Sequence, residues 1–115
     1  MKTMLALSLL TALAASPAFA DCQPPSESVA IPNGTAATRD EMVMAQKAVR
    51  AFDAAVKTYT ECLQQEEDAK IAAGGDKEKL AKQYADLQNT QVDKAQKLAD
   101  KFNLELRAYK AKNPA

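Results

Sequence analysis

Apolar residues recur at a helical interval through most of the chain. From Met42 they fall at Met42, Ala45, Val49, Phe52, Val56, Tyr59 and Leu63, alternating steps of 3 and 4. That interval places all seven on one face of an α-helix, as a heptad seam. Upstream, Thr38 and Glu41 have capping-box spacing, which satisfies two backbone donors that a helix start leaves orphaned. Downstream, Gly74-Gly75 ends the pattern, because glycine takes the left-handed conformation of a helix terminus without penalty. The expected helix spans 38–73.

A second apolar face reads Leu80, Tyr84, Leu87, Gln91, Ala95, Leu98, Phe102, Leu106 and Tyr109, in steps of 4, 3, 4, 4, 3, 4, 4 and 3. This is an 11-residue period, close to that of a straight helix. Asp76 suits an N-cap. Lysines crowd the far end, where they complement the negative pole of the helix dipole. Asn113-Pro114 stops the second helix, expected at 76–112. Gln91 is the one polar residue on this inner face. A buried amide without a partner is costly, so a hydrogen bond across the seam, to Tyr59, is expected.

Two helices of near-equal length around a glycine turn predict an all-α fold, an antiparallel two-helix hairpin with coiled-coil-like packing over 38–115. If the turn centres on Gly74-Gly75, facing residues have numbers summing to about 149. Residues 21–37 differ in kind. Pro24, Pro25, Pro32 and Asn33-Gly34 disfavour helix and predict an extended arm carrying a short apolar stretch, Val29 to Ile31.

Residues 1–20 have the composition of a cleavable secretory signal. Lys2 gives the basic start, Met4 to Ala15 the apolar run, and Ala18-Phe19-Ala20 the small-x-small site, with cleavage between Ala20 and Asp21. The apolar run is shorter than the roughly 20 residues that a membrane span needs. Asp21, placed between Ala20 and Cys22, argues against a lipoprotein cysteine. A periplasmic or secreted protein without stable membrane insertion is therefore expected.

Export changes the reading of the two cysteines, which usually pair in an oxidising compartment. The helix rises about 36 Å from Thr38 to Cys62. The 16 residue steps from Cys22 to Thr38 reach at most about 50–58 Å. The arm can therefore double back and tether itself to helix one through Cys22–Cys62. Pairing between two copies is the alternative. Ala48, Ala51, Ala55, Thr58 and Cys62 form a stripe of small residues beside the main seam. It can seat Val29 to Pro32 of the arm, seat a second copy, or be helix filler, since alanine is the best helix former.

Charge and composition narrow the function. Loss of residues 1–20 removes one lysine and leaves 14 Lys and Arg against 15 Asp and Glu. Nucleic acid is therefore not an expected partner, because phosphate binding needs a basic excess. The chain has no histidine, hence no imidazole general base or metal ligand. Glu66-Glu67-Asp68 sit on a helix, where consecutive side chains diverge, and Lys77, Lys79 and Lys82 lie across the turn to neutralise them. Met42 and Met44, two apart on a helix, point away from each other and do not make a copper site. Lys94, Lys97 and Lys101 form a basic stripe, with Asp93 four residues before Lys97 as a helical pair; a solvated face and an acidic partner are its two readings. No catalytic constellation, cofactor or metal site is expected.

Ile31-Pro32-Asn33-Gly34, Glu41-Met42, Ala45, Val49 and Tyr59-x-x-Cys62-Leu63 resemble a pattern in uncharacterised small exported helical proteins of Gram-negative bacteria. The resemblance covers roughly Cys22 to Leu63 and implies no activity. The outline also resembles helical-hairpin periplasmic chaperones and adaptors, in architecture alone. The expected function is a non-enzymatic protein acting through protein–protein interaction, with an unknown protein or with itself. The alternative is a periplasmic carrier of a small ligand or a metal.

Overall fold

A computed structural model describes residues 21–26 and 28–115. The expected signal peptide, including Ala20 of the cleavage pair, lies outside the described residues. Two helices make up the body, α1 at Arg39–Ala72 and α2 at Lys77–Lys112. They pack against each other as a hairpin, and the arm is tied to α1 by a Cys22–Cys62 disulfide.

The helix limits fall one residue inside those expected at three places, because Thr38, Ala73 and Asp76 are caps. The Thr38 hydroxyl accepts from the Glu41 amide at 3.2 Å, and the Thr38 amide donates to the Glu41 carboxylate at 2.7 Å. The capping box is complete. At the other end of α1, the Gly75 amide donates to the Lys70 carbonyl and the Gly74 amide to the Ile71 carbonyl, both at 3.0 Å. This crossed pair of bonds is the Schellman arrangement. It requires the positive φ of +97° that Gly74 adopts. Asp76 then opens α2 by accepting from the Lys79 amide at 3.1 Å.

The seam buries Met42, Ala45, Phe52, Val56, Tyr59 and Leu63 of α1 against Tyr84, Gln91 and Phe102 of α2. Ala45 clusters with Phe102, and Leu63 with Tyr84. Buried cross-helix pairs within these two clusters have numbers summing to between 143 and 147, below the expected register of about 149. Two expectations fail along this face. Leu87 is exposed, at 40%. Tyr84 and Gln91, seven residues apart, define a narrow seam, and three residues past Tyr84 an α-helix has turned about 60° off that line. The expected bond from Gln91 to Tyr59 is also missing: Gln91 is buried as expected, but its Oε1 has no partner.

Candidate functional site

The arm and the face of α1 beneath it form the most elaborated surface of the molecule. At the turn end, Cys22 packs with Leu80 against the cluster of Tyr59, Leu63 and Tyr84, and its Cα lies 5.7 Å from that of Cys62. From there the arm runs antiparallel to α1. Pro25 shares a cleft with Ala55, Thr58 and Tyr59; Ser28 and Val29 share one with Ala48, Ala51 and Ala55; Ile31 and Pro32 share one with Met44, Ala45 and Ala48. The small-residue stripe is thus the bed of the arm. Side chains no larger than threonine let an extended backbone lie close.

The arm ends in a tight turn that also engages α2. Asn33 organises it: its carbonyl accepts from the amides of Ala36 and Ala37, and its side-chain oxygen accepts from the Thr35 amide and hydroxyl. An asparagine side chain favours such turns by substituting for backbone acceptors. The turn presents Gly34 to the second helix, where its buried amide donates to Glu105 Oε2 at 2.6 Å. A Cβ at Gly34 would collide with the Glu105 carbonyl oxygen and stand 2.9 Å from the Tyr109 amide nitrogen. Ile31 and Ala37, on either side, pack against Met42, Ala45 and Phe102. The arm is therefore fixed to α1 by a covalent bond at one end and wedged onto α2 at the other.

Three open clefts, of about 350, 330 and 520 Å³, follow one another along the arm and share Ala48 and Ala55 as common walls. None converges polar side chains on a point. The largest has Cys22 and Cys62 in its wall, beside Asp21. The chemistry within reach is apolar contact and thiol–disulfide exchange.

The other sequence candidates separate. Glu66 pairs with Lys70 of its own helix at 3.6 Å, and Asp68 accepts from Gln64, so the lysines across the turn are not their partners. Lys70 also lies 5.2 Å above the centre of the Tyr84 ring. Contact with Tyr84, more than the nearby Glu66, holds its ammonium above the ordinary lysine range, against a smaller opposing effect of desolvation. Met42 is in the core and Met44 is 69% exposed. Lys94, Lys97 and Lys101 are exposed; among the described residues Lys97 forms no ion pair with Asp93, and Asp100 instead accepts from Gln96. No group of three or more His, Cys, Asp or Glu gathers for a metal ion among the described residues, and no described helix is long and apolar enough to cross a membrane.

The wedge of Gly34 on Glu105 had no signal in the sequence beyond the Asn33-Gly34 turn itself. The chain matches no family model, and no curated protein or solved structure is significantly similar to it.

Proposed function

We propose that the chain is an exported, non-enzymatic helical protein of the periplasm or the secreted medium. It works by contact with another protein or with a second copy of itself. One observation carries this reading: apolar side chains gather in open clefts instead of closing into a cavity. Met44 stands 69% exposed beside Ala30, Ile31, Pro32, Ala45 and Ala48, and Val92 stands 49% exposed beside Val56, Ala95 and Ala99. Contiguous exposed apolar surface is the usual mark of an interaction site, whereas isolated apolar residues are not. The export signal in residues 1–20 supports the location, as does the disulfide, which persists in oxidising compartments.

Crosslinking in intact cells tests the reading. A photoreactive residue replacing Met44 or Val92 is expected to capture a discrete partner or a second copy. The same probe at an exposed polar position, Lys94, serves as the reference. Equal, diffuse labelling from all three positions, with a strictly monomeric protein in sedimentation, would overturn it.

A further inference from the structure

The two ends of the arm are held by different means, and at one of them the disulfide is the only polar or covalent tie among the described residues. Beyond its bond to Cys62, Cys22 adds only apolar contact. No hydrogen bond joins the described residues of 22–32 to either helix. Gln23, Pro24, Ser26, Ser28 and Ala30 are exposed, and among the described residues between the cysteine and Ile31 only Pro25 and Val29 are half-buried. Burial of two partly covered side chains is a small gain against the conformational entropy of ordering such a stretch. The opposite end has the Gly34–Glu105 bond, the Asn33 turn, the half-buried Ile31 and Ala37 packed against the core, and the capping box of α1. The disulfide joins the arm to α1 and not α1 to α2; the half-buried Cys22 packs against the seam cluster of Tyr59, Leu63 and Tyr84, whose own contacts run between the helices. An open cleft of about 520 Å³ has both half-buried cysteines in its wall.

We propose that the Cys22–Cys62 bond is a redox latch on a strap. An external dithiol attacks through the cleft. Its thiolate bonds to one cysteine sulfur, and the other cysteine leaves as a thiolate. The second thiol of the reagent then displaces the first cysteine, closing the reagent into its own disulfide. Two electrons and two protons pass from the dithiol to Cys22 and Cys62. The released arm swings away about Ile31, uncovering the half-buried Ala48 and Ala55, while residues 31–37 stay docked and the hairpin stays folded. An external disulfide reverses the exchange, taking up the two electrons and two protons as it becomes a dithiol, and closes the strap again. Export thus does not make this bond a permanent staple; it makes the small-residue bed conditional on the thiol balance outside the cell.

The test uses the full chain from Asp21, oxidised, then treated with dithiothreitol under native conditions, and followed by nuclear magnetic resonance. On reduction, backbone order parameters at Ser28 to Ala30 are expected to fall from about 0.85 to below about 0.6, while Gly34 and Thr35 keep theirs. The methyl groups of Ala48 and Ala55 gain severalfold in relaxation by a soluble paramagnet, and helix amides at Phe52 and Phe102 keep their exchange protection. The double variant Cys22→Ser, Cys62→Ser is expected to match the reduced protein. An arm that stays ordered after reduction overturns the proposal. So does loss of protection at Phe52 and Phe102, in either the reduced protein or the double variant, because the bond is then a staple for the whole fold. A bond that dithiothreitol reaches only in denaturant overturns it as well.

Discussion

Gly34 donates its backbone amide to the carboxylate of Glu105, 71 residues further along the chain, at 2.6 Å. This bond places the arm against both helices and closes the end of the hairpin that has no connecting loop. Gly34→Ala is expected to destabilise the protein by about 1–3 kcal/mol, the usual cost of overpacking, because the new methyl meets the backbone of α2 at Glu105 and Tyr109. Glu105→Ala removes the acceptor and is expected to cost about 1–2 kcal/mol, whereas Glu105→Gln keeps an oxygen there and costs less. Urea unfolding of the oxidised protein measures all three. Unchanged midpoints would mean that the arm is not seated on α2.

Gln91→Leu is expected to stabilise the hairpin by about 1–2 kcal/mol. A buried polar atom without a partner costs about 1–3 kcal/mol, and an apolar residue of similar size removes that cost. Gln91 is 7% exposed and its Oε1 is unpaired. Thermal unfolding by circular dichroism gives the sign. A lower midpoint for the variant would show that the amide has a partner in solution after all.

Thr38→Ala opens the capping box at the start of α1, where the Thr38 hydroxyl meets the Glu41 amide. The expected loss is about 0.5–2 kcal/mol. Because Ala37 packs on the core beside this cap, fraying should spread into the arm. Faster amide exchange at Ala36 and Ala37 would report it; exchange confined to α1 would not fit.

Lys70 makes a contribution that depends on pH on the alkaline side. Its ammonium is held above the ordinary lysine value of 10.5, chiefly by Tyr84. A group whose pKa is higher when folded stabilises below its unfolded pKa and loses that contribution as pH rises through the folded value. Lys70→Met keeps an apolar stem over the Tyr84 ring and removes the charge. The difference in unfolding midpoint between the parent and this variant is expected to stay constant at neutral pH and to shrink above pH 10.5. A difference that widens there would contradict the assignment.

Much of this structure is legible from spacing alone. Steps of 3 and 4 from Met42 to Leu63 identify the buried face of α1, and Thr38, Glu41, Gly74 and Asp76 mark where helices begin and end. Those signals are local, carried by residues a few positions apart. The Cys22–Cys62 pairing and the bed of small residues were also within reach, since chain length and helix rise bound where an arm can go. What escaped depends on side-chain geometry across the seam. Gln91 has the right position for a bond to Tyr59, yet nothing in periodicity says where its amide points. Leu87 matches the apolar pattern, but burial follows the narrow line from Tyr84 to Gln91. Asp93 and Lys97 have helical pair spacing and do not meet, as expected where solvent competes for both charges. The Gly34–Glu105 contact joins residues that no sequence rule couples.

The disulfide also divides the molecule into a covalent ring and a tail. Residues 22 to 62 close on themselves, and α2 lies wholly outside that ring. A single peptide-bond cut anywhere within the ring therefore leaves one molecule, its mass raised by a water. A cut at Gly74 to Asp76 yields two pieces that only non-covalent contacts keep together, in the seam and between the arm and α2. An outside protease would thus find the two halves of the protein unequally forgiving, and the glycine turn is where damage becomes separation.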